Sequence, residues 1–165
     1  MLSAAAGRAP GEGLVDPSRV FHHLPGGSRE EVLGELAARL AAEGAVGDPG
    51  ELLRRLLDRE RLGCTGLGGG VAIPHCKLAD LPGVVVAFAS TASPIDFGAS
   101  DGIPIDLIFL VVSPADEPAA HLQALARISR LLRMPGEAES LRAAGSAQEL
   151  VAVLRKAEGG LAVSA

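Results

Sequence analysis

The sequence predicts an α/β protein, a three-layer α/β/α sandwich in which a small mixed β-sheet is flanked by helices. Three short apolar runs without polar alternation predict strands that are buried on both faces: Val71–Ile73, Val84–Ala89 and Ile105–Val112. Segments with apolar residues at helical spacing stand both before and after these runs. Because an apolar sheet must be covered on both faces, helices on either side of it in the chain favour three layers.

One strand and two helices are predicted before the apolar runs. The segment Val20–Leu24 predicts a short first strand. Ser28 followed by Glu31 forms a capping box that opens the first helix. Asp48-Pro49 is an N-cap followed by a proline, which opens a second helix predicted to end at Arg59-Glu60.

A long helix is predicted from Pro118 to Leu132, after the last apolar run. Its inward-facing residues are expected to be Leu122, Leu125, Ala126 and Leu132. Two shorter helices are expected after it, and a second capping box, formed by Ser146 with Glu149, opens the last one.

Composition predicts one domain that binds neither nucleic acid nor membrane. A chain of 165 residues fits a single domain, which we place at residues 15–157, between a disordered extension (1–14) and a flexible tail (158–165). The net charge of -5 and the absence of Trp and Tyr disfavour a nucleic-acid interface. No apolar run is long enough to span a bilayer. With only two cysteines and no signal peptide, we expect a cytoplasmic protein.

A glycine-rich loop before the first apolar run predicts a phosphate site. The loop continues into a short strand that ends on Pro74-His75, and a second histidine, His121, lies just inside a helix start. Backbone amides beside an imidazole suit an anionic group such as phosphate. The residues expected to supply the loop are Thr65, Gly66, Gly68 and Gly70.

Other interpretations of these residues are weaker. The loop lacks the GxxxxGK[ST] motif, and Val71 stands where a GxGxxG motif would need its last glycine. The loop can also be a purely structural turn. Cys64, His75, Cys76 and His121 offer zinc ligands, but their spacing matches no standard metal site, so we expect no metal and no cofactor. No nucleophile motif of a hydrolase is present. The pair His22-His23 in the first strand is expected to point one ring inward and one outward.

Taken together, three stretches resemble the type-2 IIA domains of the bacterial phosphoenolpyruvate-dependent phosphotransferase system. They are RERLGCTGLGGGVAIPHCK, PIDFGASDGIPIDLIFLVVSPAD and HLQALARISRLL. The resemblance covers about residues 15–155. This family includes the mannitol/fructose-type domains and the nitrogen-regulatory IIA proteins, and the free-standing chain, its HCKL segment and the RAAGSAQEL segment near its end favour the nitrogen-regulatory branch.

The resemblance implies roles for three residues. His75 matches the histidine that accepts a phosphoryl group from a small histidine-phosphocarrier protein (HPr-like or its nitrogen-branch equivalent). His121 matches a second histidine that contacts the phosphate, and Arg59 matches an arginine that pairs with it. The family usually has serine at Cys64 and glycine at Cys76, so the Cys76 side chain is expected to narrow the approach to His75 or to alter the backbone.

These roles predict a phosphohistidine relay protein, a phosphotransferase component with a regulatory, nitrogen-type function. The first alternative is a sugar-transport IIA subunit that passes its phosphoryl group to a IIB partner. An alternative of another class is a regulatory module that binds target proteins without being phosphorylated. The presence of His75, His121 and Arg59 together favours the relay.

Overall fold

Residues 13–163 are described by a computed structural model, in which one mixed β-sheet lies between two layers of helices. The strands are β1 (Val20–Leu24), β2 (Gly66–Gly68), β3 (Val71–Ala72), β4 (His75–Leu78), β5 (Val85–Ile95) and β6 (Ile105–Pro114). The helices are α1 (Arg29–Ala42), α2 (Pro49–Arg61), α3 (Pro118–Leu132), α4 (Glu137–Ala143) and α5 (Ala147–Val163). The predicted three-layer α/β/α sandwich is confirmed.

Strand β6 lies at the centre of the sheet. The strand order is β1-β5-β6-β3-β2, and β4 also pairs with β6, directly beyond β3. Strand β1 pairs parallel with β5, and β3 and β4 pair parallel with β6, whereas β5 pairs antiparallel with β6 and β2 with β3. The chain from β3 to β4 therefore follows one edge of β6 and ends near the carboxyl end of that strand.

Side chains of β6 alternate between two apolar cores. One core lies under α1 and α2, and the other lies under α3, α4 and α5. The first receives Ile108, Leu110 and Val112, and the second receives Leu107, Phe109 and Val111. Because both faces of β6 are buried in apolar cores, the strand is apolar at every position from 107 to 112. Burial of each leucine or phenylalanine contributes roughly 1.5–3 kcal/mol to the free energy of folding.

Helix starts follow the predicted capping residues. The Ser28 hydroxyl accepts a hydrogen bond from the Glu31 N–H (3.1 Å), and the Glu31 carboxylate accepts one from the Gly27 N–H (2.8 Å). Asp48 caps α2 by accepting from the N–H groups of its first turn. No helix of the described residues has both the length and the apolarity to cross a membrane.

The inward face of α3 differs from the prediction. Its buried residues are His121, Ala124, Ile128 and Leu131, whereas Leu122 is 65% exposed. The prediction was wrong for Leu122 and Ala126, which are exposed, whereas Leu125 and Leu132 are partly buried and pack against the core. The four buried residues follow the 3-4-3 spacing of one helical face.

The His22-His23 pair also differs from the prediction. The two rings stack, with centroids 3.7 Å apart, rather than pointing to opposite faces. The register of β1 against β5 shifts between Phe21 and Leu24, and His23 has a φ of 53°. This irregularity breaks the alternation on which the expectation rested.

The described residues nearest the two chain ends pack more extensively than the sequence indicates. Most of the predicted N-terminal extension, residues 1–12, lies outside the described residues, but Leu14 is 3% exposed within the core under α5. Its N–H donates to the Glu158 carboxylate, which also pairs with Arg127. Helix α5 continues to Val163, so the first six residues of the expected C-terminal tail are helical.

Candidate functional site

His75 is the first residue of β4, where the chain passes from β3 along the edge of β6. Its Nδ1 lies 2.7 Å from the carbonyl oxygen of Ile73. A carbonyl oxygen can only accept a hydrogen bond, so Nδ1 must carry the ring hydrogen. In a neutral imidazole the lone pair then lies on Nε2, which makes Nε2 the nucleophilic atom.

His121 lies beside His75, in the first turns of α3. The ring centroids are 5.4 Å apart and the planes are tilted by 54°. His121 is 6% exposed, and its Nδ1 is 2.6 Å from the Oγ of Ser113 at the end of β6. The structure therefore brings the two predicted histidines together on the α3 side of the sheet.

The surroundings of His121 disfavour its charged form. Burial lowers the pKa of His121 below its ordinary value, and the neighbouring charges of His75 and Lys77 lower it further. The ring is therefore neutral at neutral pH and has one N–H to donate. The N-terminus of the 15-residue helix α3 adds a partial positive charge at this end of the sheet, which favours an anion there.

Cys76 points away from this pair of histidines. It is 8% exposed and packs in the core under α1 and α2. Burial raises the pKa of its thiol to about 12, the Arg55 charge lowers it and the Glu51 charge raises it, so the thiol stays protonated. Among the described residues other than glycine, only His23 and Asp80 have positive φ, so the backbone at Cys76 is ordinary. The expected obstruction of His75 is absent.

Cys64 takes part in a local turn before β2. Its Sγ accepts a hydrogen bond from the Gly66 N–H at 3.3 Å, a role that a serine hydroxyl can also fill. No group of three His, Cys, Asp or Glu residues within residues 13–163 is arranged to hold a metal ion. The four residues considered for zinc include Cys76, whose side chain lies on the other face of the sheet from the histidine pair.

Arg59 lies in the last turn of α2, and its Nη1 donates to the Gly63 carbonyl at 3.0 Å. The next residue, Glu60, is buried and accepts hydrogen bonds from both the N–H and the hydroxyl of Thr65. The Thr65 carbonyl in turn accepts from the Ile73 N–H (3.0 Å). These bonds tie the end of α2 to the segment that precedes His75.

The glycine-rich segment forms a hairpin that leads away from His75. Strand β2 pairs antiparallel with β3, so that Gly66 faces Ala72 and Gly68 faces Val71. The Gly70 carbonyl binds the amides of Asp106 and Leu107, whereas His75 pairs with Val111, four residues further along β6. At roughly 3.3 Å per residue, the hairpin turn is about 13 Å from His75.

The structure therefore does not assemble the predicted phosphate loop around His75. Thr65, opposite Ile73, is the loop residue that lies beside the histidine segment. Gly66 lies further along the hairpin, and Gly68 and Gly70 are at its far end. The physical reason is that a hairpin folds its glycines back along the strand instead of wrapping them around the strand end.

The far end of the hairpin is held by charged side chains that the sequence did not reveal. The Arg142 guanidinium binds Asp106 through two hydrogen bonds (2.8 and 3.0 Å) and also donates to the Gly69 carbonyl. The Asp101 carboxylate accepts from the Gly69 N–H (2.9 Å), and its pKa is lowered by hydrogen bonds from the amides of Ile103 and Gly69. A cleft of about 420 Å³ beside Arg142 also lies at this end, away from the histidines.

Two residues near the histidines were not singled out from the sequence. Ser113 is fully buried and pairs with Lys77 across the β4–β6 ladder. Lys77 lies on the same side of β4 as His75, because residues two apart in a strand face the same way. Two features of the sequence could have identified these residues. Strand alternation places Lys77 on the same side as His75, and Ser113 is a single hydroxyl residue at the end of an apolar run.

The family model for "Phosphoenolpyruvate-dependent sugar phosphotransferase system, EIIA 2" matches residues 14–157. The chain belongs to this family. The IIA chain is 45% identical to a nitrogen regulatory protein of Bradyrhizobium diazoefficiens over 141 residues, which are 86% of this chain and 92% of that protein. It is 37% identical to the fructose-specific EIIA component of Haloferax volcanii, covering 79% of this chain and 84% of that one.

A solved structure also matches this IIA chain closely. The crystal structure of the nitrogen regulatory protein IIA-Ntr from Neisseria meningitidis superposes with a TM-score of 0.78 at 33% identity. The match covers 86% of this chain and 96% of that one. The type-2 IIA resemblance and the α/β fold are confirmed, and the relatives include both nitrogen-regulatory and sugar-specific proteins.

Proposed function

We propose that this IIA protein is a phosphohistidine relay in which Nε2 of His75 accepts a phosphoryl group from a small histidine-phosphocarrier protein. The observation that carries the proposal is the hydrogen bond from His75 Nδ1 to the Ile73 carbonyl, because it leaves the Nε2 lone pair available beside a second imidazole. The neutral form of an imidazole is an effective nucleophile.

The transfer replaces one N–P bond by another. The lone pair of His75 Nε2 forms a bond to phosphorus while the N–P bond of the carrier breaks, and the carrier's ring nitrogen keeps that electron pair. The Nδ1 hydrogen stays on His75, so the phosphorylated ring is cationic. The Ile73 carbonyl faces this N–H and stabilises the charge, with no proton moved during the step.

His121 and Arg59 have supporting roles in this proposal. His121 is neutral and close enough to donate an N–H to a phosphoryl oxygen on His75. Arg59 is tied through Glu60 and Thr65 to the same edge of the sheet, and its long side chain can exchange the Gly63 carbonyl for a phosphoryl oxygen. Phosphoryl transfer needs positioning and charge stabilisation, which these groups supply.

We place this relay, residues 15–157, in the cytoplasm and in a regulatory, nitrogen-type role, because the chain is most similar in sequence to nitrogen regulatory proteins among the relatives described above. In the sugar-transport alternative, favoured by the fructose-specific relative, a IIB subunit removes the phosphoryl group. The two roles are distinguished by mixing the phosphorylated chain with its regulated targets in one reaction and with candidate IIB subunits in another. In the sugar-transport role, the IIB subunit removes the phosphoryl group from His75, whereas regulated targets leave it in place.

The test is phosphorylation with phosphoenolpyruvate, the first enzyme of the system and its carrier protein, followed by intact-mass measurement. We expect one phosphoryl group that is lost in acid and retained in base, and we expect His75→Ala to take up none. His23→Asn is the control, because it removes another histidine, which is exposed and has a positive φ that asparagine tolerates. Full labelling of His75→Ala, or an acid-stable adduct, contradicts the proposal.

A further inference from the structure

The hydroxyl of Ser113 is buried and faces the second histidine of the site. Ser113 is 0% exposed at the end of β6, and the hydrogen bond recorded for its Oγ is to His121 Nδ1, at 2.6 Å. Its neighbours along this strand are apolar, so a hydroxyl here is a departure from the pattern of the strand. A polar group at full burial requires a partner, and the imidazole supplies it.

The direction of this hydrogen bond decides which nitrogen of His121 carries the hydrogen. If His121 donated from Nδ1, its Nε2 would present a lone pair to the phosphoryl oxygens on His75 and would repel them. If the Ser113 hydroxyl donates to Nδ1, the hydrogen of the neutral ring lies on Nε2, where it can donate. The second arrangement also gives the buried O–H an acceptor, which the first does not supply.

We infer that Ser113 is a positioning residue that holds His121 in the Nε2–H tautomer, so that the ring donates a hydrogen bond to the phosphoryl group on His75. The inference rests on the proposed function of His75. It goes beyond that function by assigning a role to a residue that never touches the phosphoryl group. Because burial and the charges of His75 and Lys77 lower the pKa of His121, the ring has one hydrogen at neutral pH and its location matters.

The first measurement is the tautomer of His121 in the unphosphorylated protein, from nitrogen-15 correlation spectra of the imidazole rings. We expect the Nε2–H form in the wild type and a mixed or Nδ1–H form in Ser113→Ala. Ser113→Cys keeps the shape of the side chain but has a much weaker donor, so it should behave like Ser113→Ala. Ser113→Thr keeps the hydroxyl and should restore the Nε2–H form. A wild-type ring with its hydrogen on Nδ1 overturns the inference.

The second measurement is the rate of transfer from the phosphorylated carrier to His75. Loss of the partner that orients a metal-bound histidine typically costs 10–100-fold. We expect a loss of similar size for Ser113→Ala and Ser113→Cys, with recovery in Ser113→Thr. In a His121→Ala background the same Ser113→Ala change should alter the rate by less than about twofold, because it acts through His121. Ser90→Ala is the matched control. It also removes a buried hydroxyl, but that hydroxyl lies in β5 and accepts a hydrogen bond from the His23 N–H in β1.

The outcomes separate this inference from the function on which it rests. A wild-type chain that takes up no phosphoryl group overturns the proposed function and the inference with it. A phosphorylated wild type together with a Ser113→Ala variant of unchanged rate overturns only the inference. Equal slowing by Ser113→Ala with and without His121 shows that the serine acts through packing, and this also overturns the inference.

Discussion

The side chains of His75 and Cys76 lie on opposite faces of the sheet although the residues are adjacent in the chain. The His75 ring meets His121 under α3, and the Cys76 thiol is buried under α1 and α2. The side chain at position 76 therefore affects the packing of this core, and it does not restrict the approach to His75.

Cys76→Gly should change stability without changing chemistry. The variant loses a buried side chain and gains a flexible residue within a strand, so we expect a loss of about 2 kcal/mol in the free energy of unfolding. The rate of phosphorylation at His75 should stay at the wild-type value. Urea denaturation and quench-flow kinetics measure the two effects. Cys64→Ser is the control, with a stability change within about 0.5 kcal/mol, and faster phosphorylation of Cys76→Gly would show that the thiol restricts access.

Removing His121 should slow transfer and also destabilise the protein. Loss of one charge-stabilising donor typically costs ~10²–10³ in rate, so His121→Ala should still be phosphorylated at His75, but slowly. The ring is buried and bonded to Ser113, so we expect a further loss of about 1–3 kcal/mol of stability. His121→Gln should retain more activity because its amide N–H can donate. A normal rate in His121→Ala would remove this residue from the site.

Arg59→Ala should slow transfer with little change in stability. The guanidinium is partly exposed and its hydrogen bond to Gly63 is local, so the expected stability change is within about 0.5 kcal/mol. The expected loss in rate is ~10². Arg61→Ala is the matched control, because Arg61 lies two residues further on the same helix and pairs with Asp58 at the exposed surface. Equal rates for the two variants would contradict a role for Arg59.

The pKa of His121 predicts how stability depends on pH. It is lower in the folded protein than in the unfolded chain, so the unfolded chain binds the proton first as the pH falls. The contribution of His121 to stability is therefore complete above about pH 6.5 and decreases below it, by at most about 1.4 kcal/mol per pH unit. Urea denaturation at pH 7.5 and pH 5.0 should show a smaller decrease in His121→Gln than in the wild type. An equal decrease in both proteins would contradict this assignment.

Gly70→Ala should destabilise the hairpin turn. Gly70 has a φ of 84°, and a Cβ there would lie 2.8 Å from Arg142 Nη2 and 2.9 Å from Asp106 Oδ1. Strain and displacement of this ion pair together predict a loss of about 2–3 kcal/mol. Gly102→Ala, with a φ of 71° and open space around it, isolates the backbone strain and should cost about 1 kcal/mol. Equal losses in thermal denaturation would show that the clash contributes nothing.

The sequence predicts those parts of the fold whose cause is local. The bounds of α3 were predicted from its proline start and apolar spacing, and the capping groups of Ser28 and Asp48 were predicted from their order in the chain. The inward face of α3 was predicted only in part, because a histidine occupies a position on its apolar stripe. A buried histidine is recognisable only when its partner, here Ser113 on another element, is known.

The candidate site shows the same division between local and long-range causes. His75 follows from the strand end before it, and its contact with His121 followed from the family resemblance. The direction of the glycine hairpin depends on the pairing of β2 with β3 and on Arg142, 73 positions from the Gly69 carbonyl that it binds. Spacing along the chain carries no information about such a contact.

The hydrogen bonds that orient the two histidines differ in how easily a substitution removes them. The partner of His75 Nδ1 is a main-chain carbonyl, which every amino acid provides, so no substitution at position 73 deletes that acceptor. The partner of His121 Nδ1 is a side-chain hydroxyl, which a single-residue replacement at position 113 eliminates. The residue at position 73 can therefore change without loss of the acceptor for His75, whereas the orientation of His121 depends on the residue at position 113. Divergence within the site is expected to begin at position 113.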